Sequence, residues 1–168
     1  RNTEHALERL SSRTATATGQ AFQDALVAEV AALLPARWVL VGRVYDGRVH
    51  PIAGWDGAAP AQMPVYELAG TPCERTLADG PTRFPRGLQQ LFPRDTLLAE
   101  MGAESYVGVP ILDGSGRRTG LLAALGADAL EVPDDVLAIL QIFAARAGAE
   151  MRREAIEEAL LARTRELD

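Results

Sequence analysis

Hydrophobic residues recur along this chain with two periods, and the shorter one marks its centre. From Tyr106 to Leu112, Val107, Val109 and Ile111 alternate with Tyr106, Gly108 and Leu112. From Thr119 to Leu125, Leu121, Ala123 and Leu125 alternate with Leu122 and Ala124. A period of two predicts a pair of strands. Asp113-Gly114-Ser115-Gly116 joins them with residues that tolerate positive φ, so the connection reads as a hairpin turn. Neither strand has a polar face, so both faces must be covered. The hairpin is therefore expected at the middle of three layers. Gly108 and Gly120 lie mid-strand, where a missing side chain admits a neighbouring backbone or a ligand.

The longer period predicts helices at both ends. Ala6, Leu7 and Leu10 form a thin stripe in Asn2 to Arg13, a helix too short and polar to be stable alone. Phe22, Leu26, Val30, Leu33 and Leu34 share one face from Gln20 to Leu34, and Pro35 stops that helix. Pro133-Asp134-Asp135 starts the last helix with suitably placed acidic residues. Its core stripe is Val136, Leu140, Phe143, Ala147 and Met151. Between these helices lies a second hairpin, Trp38 to Tyr45 and Arg48 to Trp55, turning at Asp46-Gly47. Pro51 marks its second strand as an edge. Asp56 to Ala103 is irregular and partly apolar, with Asp56 to Pro64 a loop and Thr82 to Arg86 a short strand interrupted by Pro85. Thr71-Pro72-Cys73-Glu74 begins a short helix with a capping box. Irregular connections this long usually build a site.

Size and charge narrow the possibilities. The chain has 168 residues, 48% of them hydrophobic, and a net charge of −6. That charge argues against nucleic acid as a partner. All 17 basic residues are Arg, which with abundant Ala and Gly points to a GC-rich bacterial source. One Cys excludes an internal disulfide framework and fits a reducing cytoplasm. No apolar run approaches the roughly 20 residues of a membrane span, so no membrane contact is expected. The sequence begins at Arg1 and ends at Asp168 inside helical patterns, which reads as a domain cut from a longer protein.

Few residues point to chemistry. Cys73 stands at the second position of a predicted helix, where the dipole favours a thiolate able to sense redox state or anchor a chromophore. The alternative is a small buried residue in a pocket wall. The Gly-rich turn before Arg117 and Arg118 leads into a strand, so a phosphate cradle, which needs a helix N-terminus, is not expected. His5 and His50 have no partner at ligand spacing, so no metal site is expected. Glu104 and Asp113 sit about 30 Å apart along a strand and make no acid–base pair, and no catalytic residue is assigned. Trp55, Tyr66, Phe84, Phe92 and Tyr106 surround the irregular segment. They line either a small-molecule pocket against the sheet or plain core, with Arg86 the charged candidate for the pocket. Beyond Met151 the stripe thins to Ile156, Leu160 and Leu167, with Arg153, Glu157 and Arg163 near its edges. Together with Leu7 and Leu10 these predict a homodimer through the terminal helices, against the alternative of solvated helices.

The segments Tyr106-Val-Gly-Val-Pro-Ile-Leu-Asp113 and Thr119-Gly-Leu-Leu-Ala-Ala-Leu125, with their Gly-rich turn, resemble the central hairpin of GAF domains in bacterial sensor proteins. Gly70-Thr-Pro-Cys-Glu-Arg-Thr-Leu77 and Leu91-Phe-Pro-Arg-Asp-Thr-Leu-Leu-Ala-Glu100 are similar to a GAF subgroup of sensory kinases. The resemblance covers Ala15 to Met151. It implies an α/β (α+β) three-layer sandwich, a central antiparallel sheet of five to six strands with helices on both faces. A linker helix at 1–14 and a signalling, coiled-coil helix at 152–168 would flank it. The implied function is a regulatory module that binds a small molecule or relays a signal. It would serve a cytoplasmic signal-transduction protein of the histidine kinase type, or a diguanylate cyclase, through a covalently linked output domain. No catalysis is expected in this chain, and no cofactor is required. The alternatives are a redox or chromophore sensor acting through Cys73 and a purely structural dimerisation spacer. GAF domains of free-methionine-sulfoxide reductases use several cysteines, and this chain has one. Bilin-binding GAF domains usually follow their cysteine with His, and Cys73 is followed by Glu74.

Overall fold

The computed structural model describes residues 2–167; Arg1 and Asp168, the outermost residues of the two expected flanking helices, lie outside the described residues. The elements run α1 (Asn2–Thr14), α2 (Gln20–Leu33), β1 (Trp38–Tyr45), β2 (Arg48–Trp55), β3 (Tyr66–Glu67), α3 (Pro72–Asp79) and β4 (Thr82–Phe84). Then come α4 (Leu88–Leu91), α5 (Thr96–Met101), β5 (Ser105–Leu112), β6 (Arg118–Gly126) and α6 (Asp134–Leu167). The strands make one six-stranded sheet in the order β3-β2-β1-β6-β5-β4. Every pairing is antiparallel. The expected three-layer sandwich is the observed architecture.

Alternation in the central strands produces the two cores. Val39, Val41, Val107, Val109, Ile111, Leu122 and Ala124 pack against α1, α2 and α6. Leu40, Tyr106, Leu121, Ala123 and Leu125 pack on the opposite side, under α3, α4 and α5. Successive side chains point to opposite faces, so two apolar faces require unbroken apolar runs. The sheet's middle is β1 against β6, with β5 one place outward and β4 beyond it. The β1–β2 turn places Asp46 at φ 56° and Gly47 at φ 69°. Positive φ at both central residues is the tight turn whose twist suits a hairpin. β2 is an edge only in part, because β3 pairs with Arg48 and Val49 at its start. Pro51 lies beyond that pairing, where its missing N–H leaves no ladder bond unmade.

The helical layer is fastened by a few polar contacts. Glu29 of α2 is 1% exposed and meets Arg9 at 2.9 Å and Arg13 at 3.1 Å, both on α1. This contact and the burial of Ala6 and Leu10 hold α1 in place. Gln23 donates to the Ala147 carbonyl of α6 at 3.3 Å, leaving its own buried Oε1 without a partner. The Gly19 N–H, at the start of α2, donates to Glu150 at 2.8 Å. Arg153, and secondarily this N–H, hold the Glu150 carboxyl below the usual carboxylate range. Glu150 stands where α6 leaves the body. Helix α6 continues unbroken for 34 residues, about 50 Å at the helical rise.

Leu7 and Leu10 were expected at a dimer seam, and the fold uses them otherwise. Leu10 is fully buried in the chain's own core and Leu7 packs against it. A stripe this thin is consumed by α2 and α6.

Candidate functional site

Between the sheet and the irregular segment lies a cavity of about 210 Å³. The sheet supplies Trp38, Leu40, Tyr106 and Leu125 as its floor. Tyr66 from β3, Cys73 from α3, Asp95, and Leu98 and Met101 of α5 supply much of its walls. Helix α3 starts beside the cavity because Pro72, at the first helical position, needs no N–H partner. The expected capping box forms only in part. Thr71 gives its hydroxyl to the Leu68 carbonyl at 2.7 Å, not to the helix. Glu74 reaches back to the Gly70 N–H at 3.1 Å, one residue further than a capping box requires. The far end of α3 is tied to the sheet by Arg118 of β6, which donates to the carbonyls of Leu77 and Ala78 at 3.0 and 2.8 Å.

A chain of hydrogen bonds crosses this face from one edge strand to the other. The Tyr66 hydroxyl lies 3.2 Å from Cys73 Sγ, and the Tyr106 hydroxyl donates to the same sulfur at 3.6 Å. Thr76 Oγ1 lies 2.8 Å from the Tyr106 hydroxyl and 2.6 Å from Thr82 Oγ1. Tyr106 reaches Thr76 by lying across Gly108, two residues along on the same face. A Cβ at Gly108 would stand 2.2 Å from the Tyr106 hydroxyl. Glycine is therefore required there by a close approach rather than by φ.

Electrostatics disfavour a reactive thiol. Burial pushes the Cys73 thiol up, and the two phenols pull it only partly back. The helix-terminus argument for a thiolate is thus outweighed by desolvation. Burial, then the neighbouring sulfur, also holds both phenols well above their ordinary range. All three groups stay neutral at physiological pH. Asp95 is the charged group of the lining, and burial raises its carboxyl above its usual value.

The structure brings together three of the seven residues named from sequence for the ligand site: Tyr66, Cys73 and Tyr106. The other four do not line the cavity. Trp55 packs on the opposite core, with the α2 layer. Phe84 and Phe92 form an edge-to-face pair at 5.1 Å, with Phe84 6.0 Å from Tyr106, as backing for the wall. Arg86 is exposed and pairs with Glu131. Among the described residues no cluster of side chains could hold a metal ion. Sequence reasoning missed Trp38, Asp95, Leu98 and Met101. The Asp95-Thr96 start of a short helix was the available signal, and it reads equally as an ordinary cap.

The GAF domain family matches residues 19–151. In fold the chain is similar to the chromophore-binding domain of a Stigmatella aurantiaca bacteriophytochrome, a mutant in the Pr state. The TM-score is 0.71 at 16% identity, over 89% of this chain and 60% of that one. The wild-type chromophore-binding domain of Stigmatella aurantiaca phytochrome P1 gives 0.69 at 16%, over 88% and 59%. The wild-type Stigmatella aurantiaca phytochrome photosensory core module gives 0.70 at 16%, over 98% and 38%. The chain thus spans 60% or less of each of these neighbours. No curated protein matches it by sequence.

Proposed function

This chain belongs to the GAF domain family, and we propose that it is a regulatory module of a signal-transduction protein of the sensor histidine kinase type. A small apolar molecule enters the cavity beneath α3 and α5, and α6 carries the effect to a linked output segment. The observation behind this reading is the cavity itself, about 210 Å³ and lined mainly by apolar side chains. An engineered apolar cavity of about 150 Å³ is large enough for benzene. Strand β5 couples the two layers. Tyr106 faces the cavity, while Val107, Val109 and Ile111 of the same strand join the core that holds Phe143 and Ala147 of α6. A ligand that moves Tyr106 would act on this strand, and α6 is the two-state element that such a relay requires.

The end of α6 supports a homodimer as part of the proposal. Ile156, Leu160 and Leu167 are 63%, 61% and 81% exposed on a stretch of helix that leaves the body. A second copy related by two-fold symmetry would cover them and bring two output segments side by side. Titration with benzene, followed by methyl NMR, tests the whole reading. Shifts at Leu98 and Met101 together with altered amide exchange beyond Met151 are expected. Shifts at neither place would refute ligand binding here, and shifts in the cavity alone would refute the relay.

A second reading takes its support from the neighbours, two of them described as chromophore-binding domains. It would attach a chromophore to Cys73. The cavity lies below the roughly 300–1,000 Å³ typical of drug-sized ligands, and its thiol is buried and raised. A visible absorption band, or native-state thiol labelling as fast as that of the unfolded chain, would favour this second reading.

A further inference from the structure

The start of α2 has no cap of its own. Its N-cap is Gly19, which has no side chain to offer, and its first turn carries no acidic residue. The N–H groups at a helix start need partners from elsewhere. Helix α6 supplies one. Glu150 accepts the Gly19 N–H at 2.8 Å, and its side chain is only 10% exposed. Gly19 has φ 59°, and a Cβ there would stand 3.1 Å from Glu154 Oε2, so the connection into α2 turns hard against α6. One turn further along α2, Gln23 donates to the Ala147 carbonyl.

The same carboxylate has a second partner. Arg153 donates to it through Nε at 3.0 Å and through Nη2 at 2.5 Å, while its Nη1 reaches Glu157 at 2.5 Å. Arg153 and Glu157 belong to the stretch of α6 beyond Met151, where the helix leaves the body. Glu150 thus joins the start of α2 to the first turn of the departing helix, through charge-assisted bonds. Helix α1 arrives at the same corner. Arg9 and Arg13 hold it to Glu29 of α2, and Arg146 of α6 donates to the Ser11 hydroxyl at 2.9 Å. Residues 15–19 then lead from α1 to the Gly19–Glu150 bond.

We infer that Glu150 is a pin between the two ends of the fold, coupling the seating of α1 to the anchoring of α6 where it leaves the body, by a path that does not pass through the cavity. A shift of α1 pulls on residues 15–19 and displaces the Gly19 N–H, and the carboxylate must follow it or part from it. Glu150 is a positioning residue on this path. The path needs no ligand, so it operates whether the cavity is empty or filled.

Amide exchange on the full chain tests the pin, read over residues 149–157 of α6. In Glu150→Ala, exchange there should rise about tenfold, and residues 19–23 should lose protection with it. The pair Arg9→Met and Arg13→Met releases α1 from Glu29. In the wild-type background it should raise exchange in α1 and, by a smaller factor, over 149–157. In the Glu150→Ala background it should still loosen α1 but add nothing over 149–157, because positions acting through one contact are not additive. Glu150→Gln keeps an acceptor for Gly19 but loses the charge that Arg153 meets; its effect should be intermediate, and it serves if the alanine variant does not fold by circular dichroism. Arg13→Met alone serves in the same way for the pair. Unchanged exchange over 149–157 in both Glu150 variants would overturn the inference. So would a loosened α1 that leaves 149–157 untouched in the wild-type background, or an equal further rise there in both backgrounds, which would route the coupling elsewhere.

Discussion

Replacing Gly108 with Ala adds one methyl group at the most crowded point of the cavity face. The new Cβ would stand 2.2 Å from the Tyr106 hydroxyl, 2.6 Å from Thr76 Oγ1 and 2.7 Å from Tyr106 Cζ, against 3.4–4 Å for ordinary contact. The phenol must therefore retreat by about 1 Å or more toward the cavity that it lines, out of its bonds, while Thr76 is fully buried. Overpacking of this kind costs about 1–3 kcal/mol. Loosening the bonds from Tyr106 to Thr76 and Cys73 adds about 1 kcal/mol each. Ala is favoured over Gly within a strand by about 0.5–1 kcal/mol, which offsets part of this. The net expectation is a loss of about 2–4 kcal/mol. For a chain of this size that lowers the melting temperature by about 5–15 °C. Denaturant unfolding followed by circular dichroism measures it directly, provided the transition is two-state. The control carries the argument. In a Thr76→Ala, Tyr106→Leu background the colliding atoms are gone, and Gly108→Ala should become neutral or stabilising by about 0.5–1 kcal/mol. A neutral Gly108→Ala in the wild-type chain, or an equal loss in both backgrounds, would show that Tyr106 does not lie across Gly108.

Three further outcomes are expected. The pair Arg9→Met and Arg13→Met leaves Glu29 buried without a partner. It should cost about 2–4 kcal/mol and expose α1 amides to exchange, below the loss for a fully enclosed pair because the arginines are 37% and 56% exposed. Glu29→Met should cost less, and the opposite ranking would refute a buried charge held by α1. Asp95 has a raised carboxyl in the folded state, so the folded chain holds its proton more tightly than the unfolded chain. Its contribution is fully present below its unfolded value of about 3.9 and is lost as pH rises through the folded one. Asp95→Asn should therefore raise the melting temperature at pH 7 and give no gain at pH 3; an equal gain at both would disprove the assignment. Leu160→Glu should shift the sedimentation of the chain from dimer toward monomer at micromolar concentration without changing its thermal unfolding at high dilution. A monomeric wild-type chain at high micromolar concentration would end the dimer proposal.

The layers were legible from the sequence because their signals are local. Unbroken apolar runs in β5 and β6, the Asp46-Gly47 turn and the stripes of α2 and α6 each depend on neighbours within a few residues. Which aromatic residues reach the cavity was not legible, because that depends on register. Counted outward from the Asp46-Gly47 turn, where Tyr45 pairs with Arg48, Trp55 would fall opposite Trp38 and share the cavity face. The register shifts between Val41 and Gly42, so Trp55 pairs with Val39 instead. One added residue in a strand exchanges its faces. Trp55 consequently joins the α2 side and Trp38 alone reaches the cavity.

Burial decided between other readings in the same way. At the start of α3 the helix dipole favours a Cys73 thiolate, but desolvation under α5 and against Tyr106 outweighs it. The thin stripe of α1 suits a partner of either kind, another copy or the chain itself, and packing against α2 and α6 takes Leu10. Composition, period and turn chemistry thus determined the layered fold of this protein. Only the tertiary structure decided which side chains face one another across the layers, since strand register and desolvation arise between segments distant in the chain.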